Sequence, residues 1–171
     1  MENALLALKK SLEGELFWSA KMKALYATDG SIYRELPLAV ALPANEWIEL
    51  KNTSATPVNL QNWRIGDLTG TSGPLPNYTL APGALVIVCT GSAVAAMSAF
   101  GPAISVTSFP SLDNDGDELF LRAANGKTIH AVNYSLAWYQ NELKKDGGWT
   151  LEMTDATNPC AGISNWKAST D

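Results

Sequence analysis

Residues 46–52 read EWIELKN, and residues 62–67 read NWRIGD. In the first of these, Trp47, Ile48 and Leu50 interleave with Glu46, Glu49 and Lys51. A sheet with one wet face requires this mixture of bulk and charge. The pair therefore predicts a half-buried strand, a turn and a second strand. The texture continues downstream. Strands are expected at 58–65, at the apolar run ALVIVC (84–89), at 105–109, at LFLRAA (119–124), at KTIHAVNY (127–134) and at WTLEM (149–153). The loops between are rich in Gly, Pro, Asn and Thr, and a short helix or loop is expected at 93–100. Asn125-Gly126 is the strongest short hairpin signal in the chain. Short strands separated by turn signals point to an all-β sandwich.

The first residues have a different character. Leu5, Leu8, Leu12, Leu16, Met22, Leu25 and Tyr26 recur at three- and four-residue steps over 3–27, which predicts a helix with an apolar stripe. Gly14 interrupts the pattern, because glycine inside a helix costs about 1 kcal/mol relative to alanine. Asp29-Gly30 reads as a stop. SIYREL, ending at Leu36, is expected to be a first strand, followed by an extended linker between Pro37 and Pro43. The expected organisation is a helical appendage at 1–31 and a sandwich at 32–171. The Leu stripe would pack on the sandwich or on a second copy, giving a homo-oligomer through the N-terminal helix. Its balanced charge disfavours a membrane surface.

Charge narrows the partners. The chain of 171 residues has a net charge of −5. Of its 12 Lys and Arg and 17 Asp and Glu, five of each fall within residues 1–45, so the whole deficit lies beyond them. An acidic sandwich repels phosphate backbones, so no nucleic-acid partner is expected. Lys144-Lys145 reads as a solvated loop. Cys89 and Cys160 make no disulfide framework; Cys89 reads as a buried strand residue and Cys160 as a loop residue. No apolar window is long enough to span a membrane, since Gly91, Gly101 and Pro102 break the longest one. The opening Met-Glu-Asn lacks a basic region before an apolar run, so no secretory signal is read and the chain as written would remain cytoplasmic.

EWIELKN, LQNWRIGD, LAPGALVIV, SLDNDGDELFLRAANGKTIHAVNY, WTLEMTD and the pair Asn165-Trp166 occur in an order that resembles the lamin tail domain. That family is an immunoglobulin-like sandwich known from nuclear lamins and from bacterial envelope or secreted proteins. The resemblance covers about 44–170 and implies an exported or cell-envelope setting. On this pattern Glu46 and Glu49 take the wet face while Trp47 or Ile48 packs inward, and Trp63 covers one end of the core. Gly83 and Gly126 supply the positive φ of tight turns. Leu119, Leu121, Ile129, Val132 and Tyr134 fill the space between sheets, with a bulge near Ala131 where alternation fails. Trp149 and Trp166 bury large areas. Residues 1–43 instead resemble the opening segment of FAD-linked oxidases of the vanillyl-alcohol-oxidase type, through YATDGSIYRELPLAVALP. No glycine-rich pyrophosphate loop follows, so no flavin site is carried over and no cofactor is expected. The head reads as a natural or engineered fusion in which residues 32–36 pair with the sandwich.

Three features bear on chemistry. Asp113, Asp115 and Asp117 in DNDGD are weak calcium candidates. A calcium loop starting at Asp113 needs glycine sixth and glutamate twelfth, where this chain has Glu118 and Ala124, so a polar turn is the better reading. His130, the one histidine, has no G-x-S-x-G nucleophile elbow to serve and too few soft ligands nearby in sequence for zinc. The sequons at Asn52, Asn77 and Asn133 read as chance. The expected function is a non-enzymatic module for protein binding, anchoring or adhesion, its partner an unidentified protein. The alternatives are a flavin oxidase fragment and, given six Trp, a carbohydrate-binding sandwich.

Overall fold

Among the described residues, the apolar run after the turn at 81–83 is buried on both faces from Val86 to Cys89 and forms the centre of its sheet. The structure, a computed structural model, describes residues 14–17, 40–43, 46–145 and 149–170. It has two compact units, Met1–Asn45 and Glu46–Asp171.

In the first unit β1 (Gly14–Phe17) and β2 (Val40–Pro43) pair antiparallel, with Gly14 opposite Pro43 and Phe17 opposite Val40. A strand thus stands at 14–17 where the leucine period predicted helix. Glycine at position 14 weakens a helix by about 1 kcal/mol, and pairing with a distant segment overrides the rest of the local preference. The remainder of the expected helix, and SIYREL, lie outside the described residues.

The second unit runs β3 (Trp47–Lys51), β4 (Val58–Asn59), β5 (Arg64–Gly66), β6 (Thr79–Leu80), β7 (Leu85–Cys89), α1 (Val94–Met97), β8 (Ala103–Ser105), β9 (Gly116–Arg122), β10 (Thr128–Ser135), β11 (Leu151–Met153) and β12 (Trp166–Ala168). One sheet has the order β3-β7-β8 and the other β10-β9-β5, with β4-β6 and β11-β12 as separate pairs. Ile48 lies opposite Val88 and Leu50 opposite Val86, so the EWIELKN strand presents both side chains to the core while Glu49 stays exposed. Val86, Val88 and Ile104 of this sheet meet Ile65 of the other in one cluster with Leu60, Leu75, Leu80 and Val106. Each such side chain contributes about 1.5–3 kcal/mol relative to exposure. Trp63, Phe109 and Leu121 pack half-buried against the cluster. This is the expected all-β, immunoglobulin-like sandwich.

Gly83 and Gly126 turn at φ 75° and 82°, as their turns required. Other details depart from the sequence reading. The expected strand at 105–109 begins earlier, at Ala103, and runs parallel to β7. A crossover through α1 and a bond from Ile87 N to Pro102 O (2.8 Å) place it there. The irregularity in β10 lies between Thr128 and His130 rather than near Ala131. The shift turns Ile129 outward, where it is 47% exposed, so Ile129 is not a core residue. Trp149, at 37% exposure, is not deeply buried either.

Candidate functional site

Four loop side chains, Asn52, Asp67, Asp155 and Asn165, are spent largely on backbone. Asn52 closes β3 and is buried. Its Nδ2 donates to Leu80 O and Thr56 O (both 2.9 Å), and its Oδ1 accepts from Ser54 N (2.9 Å) and Ser54 Oγ (2.8 Å). Asn165, 3% exposed, does the same before β12. Its Nδ2 donates to Asp155 O and Asn158 O (both 2.8 Å), and its Oδ1 accepts from Asp155 N (2.7 Å) and Thr154 Oγ1 (2.9 Å). Asp67 Oδ1 accepts from Thr69 N, Thr69 Oγ1 and Gly70 N. Burial acts to raise the Asp67 carboxyl, but these bonds outweigh it and hold the group below its ordinary value. Asp155, fully exposed, is held low by the bonds from the Thr157 hydroxyl and N–H.

The sequence reading took Asn52 as a chance sequon and Asn165 as part of a motif, and gave neither a backbone-bonding role. A signal was present: each follows or precedes a strand and has Ser or Thr within reach for an Asx turn. The same bonding removes Asn52 as a glycan acceptor, since its amide nitrogen is committed to two carbonyls. Asn77 and Asn133 are exposed, and Asn77 Oδ1 accepts from Asn59 Nδ2 at 2.9 Å.

The acidic turn lies at the entrance to β9. Asp113 and Asp115 are exposed and Asp117 half-buried. The turn's carbonyls are taken up internally: Asp113 O accepts from Tyr134 Oη (2.8 Å) and Gly116 N (3.2 Å), and Asp115 O from Leu136 N (3.2 Å). Asp117 Oδ1 accepts from Glu118 N (2.7 Å). Among the described residues no three His, Cys, Asp or Glu side chains are placed to hold a metal ion, so the three aspartates do not converge. Burial, then the nearby Asp117 charge, pushes the Tyr134 phenol well above its ordinary value.

His130 points inward opposite Leu121. Its Nε2 is buried without a hydrogen-bond partner, and burial lowers its pKa below the ordinary value. Among the described residues no nucleophile is bonded to it. Cys89 is buried and Cys160 exposed, both as free thiols; burial raises the Cys89 thiol.

The aromatic residues of the C-terminal part do not form a flat platform. Trp138 and Trp166 are tilted by 44° with centroids 6.0 Å apart. Lys144 Nζ covers the Trp149 ring at 3.7 Å and also donates to Ser169 O. Gln140, in the left-handed region at φ 52°, ties this part together by donating to Ile163 O (3.0 Å) and Trp166 O (2.7 Å). Lys145 pairs with Glu142 on the surface. No helix among the described residues is long and apolar enough to cross a membrane.

A protein-family model described as Lamin Tail Domain matches residues 28–135, more than half of the chain. No curated protein and no solved structure matches it.

Proposed function

We propose that this chain, which belongs to the lamin tail domain family, works as a non-catalytic module that binds a protein partner through the edges and loops of its sandwich. One observation carries the reading. The polar side chains of Asn52, Asp67, Asp155 and Asn165 are consumed in fixing loop backbone. They build a rigid frame, and what the frame presents is surface. Anchoring or adhesion at a cell envelope accords with this, and the acidic turn at 113–117 is a natural part of the contact surface.

The test is capture of partners by the immobilised full chain from envelope and cytoplasmic fractions, followed by binding of the purified partner. Saturable binding that leaves both molecules chemically unchanged supports the module. Bound flavin in the purified chain would instead identify an oxidase fragment. Quenching of Trp fluorescence by glycans would identify a carbohydrate-binding sandwich, a reading the covered Trp149 ring and the tilted Trp138–Trp166 pair do not favour.

A further inference from the structure

Building on the interaction-module reading, we propose that the free edge of β10 pairs antiparallel with β10 of a second copy, giving a two-fold dimer. Among the described residues β9 is bonded on both sides, to β10 and to β5, whereas β10 is bonded on one. His130, Val132 and Tyr134 lie opposite Leu121, Leu119 and Asp117, and the bond from Leu136 N to Asp115 O continues the same ladder. Bonded pairs alternate in an antiparallel ladder. The N–H and C=O groups of Ala131 and Asn133 therefore point away from β9, and neither bonds the backbone of another described element.

Edge strands of soluble proteins are usually blunted by Lys, Pro, short length or a bulge. β10 has eight residues, TIHAVNYS, without a charge or a proline, and its bulge sits at the very start. The competing edges are defended: β5 and β8 have three residues each, and β3 carries Glu49 and Lys51. Ala131 and Asn133 are exposed, so nothing described covers the strand's outward face there.

Charge selects a second copy as the occupant. Exposed Lys127 stands just before β10, and the acidic turn borders its far end, where Gly116 lies opposite Ser135. A two-fold antiparallel pair sets Lys127 of each copy against Asp113 and Asp115 of the other. A parallel pair would set acidic turn against acidic turn. One strand pair is a small interface, so the dimer belongs to the weak class.

Sedimentation of the full chain across about 10 µM to 1 mM tests this. The expected result is a concentration-dependent dimer. Ala131→Lys places a charge on the edge, and Asn133→Pro removes an outward N–H without touching the ladder to β9. Each should weaken the dimer by about tenfold or more while far-UV circular dichroism is unchanged. Lys127→Glu should weaken it at low salt and less so at high salt, where charges are screened. A wild type that stays monomeric throughout, or a folded Ala131→Lys variant that dimerises like wild type, overturns the proposal. Capture of another protein by a chain that remains monomeric would overturn the dimer and leave the module reading standing.

Discussion

Replacing Asn52 isolates what a buried asparagine contributes at the end of the EWIELKN strand. In Asn52→Ala four bonds disappear, but not at equal cost. Leu80 O is buried and keeps only the ladder bond from Val58 N opposite it, so it loses one of two bonds where water cannot replace it, at about 1–2 kcal/mol. Ser54 and Thr56 are exposed, and water replaces their lost bonds at little net cost. The sum is about 2 kcal/mol, most of it at one carbonyl. For a domain of this size that lowers Tm by about 6–10 °C. Asn52→Asp is the sharper variant. It keeps the acceptor for Ser54 but aims a second oxygen at the carbonyls of Leu80 and Thr56. It should cost more than the alanine variant at neutral pH. The folded-state pKa of the new carboxyl is raised, so stability is regained as pH falls and the protonated acid donates again. Thermal melts followed by Trp fluorescence, with Ser54→Ala as the exposed control, measure all three. An Asn52→Ala melt within about 1 °C of wild type would refute the assignment. So would a Ser54→Ala melt as low as that of Asn52→Ala.

Trp63→Ala should cost about 3–5 kcal/mol in urea unfolding because Trp63 packs on the core cluster. Trp149→Ala should cost clearly less, since that ring is 37% exposed and rests on Lys144; equal losses would contradict this placement. His130 is held below its ordinary pKa by burial, so the unfolded chain takes up its proton first as pH falls. Stability is then greatest above the ordinary histidine value of about 6.5 and declines below it. His130→Leu should flatten that slope, and an unchanged slope would remove His130 as its source. A thiol reagent should label Cys160 at once in the native chain and Cys89 only on unfolding, because Cys89 has no exposed surface; fast native labelling of both would show that β7 opens.

The parts of the fold written in local pattern were legible. Ile48 and Leu50 against Glu49 gave the wet-faced strand, the run to Cys89 gave the buried one, and Asn125-Gly126 gave the hairpin. What was misread depended on distant partners. The strand at Gly14–Phe17 exists through pairing with Val40–Pro43, which a leucine period cannot show. Ile129 fits the core by composition and leaves it because one extra residue at the start of β10 inverts its side. The parallel β7–β8 pair depends on a crossover whose small residues carry little periodic signal. The backbone bonding of Asn52 and Asn165 was not legible because satisfied buried amides leave no trace in hydrophobic alternation.

The residues that make this sequence pattern recognisable serve the framework of the sandwich. The polar positions of the pattern, Asn52, Asp67 and Asn165, each hold several backbone groups of a loop. The apolar ones, Ile48, Leu50, Trp63 and Val88, form or flank one core. A residue bound in that way is not free to meet a ligand, so these positions build a frame. The proposed contact surface is the outward face of β10, the exposed aspartates beside it and Lys127 at its other end. They are also where a substitution can alter binding without unfolding the chain. Ala131→Lys and Asn52→Ala should accordingly separate the two roles, the first changing association with the melt preserved, the second changing the melt.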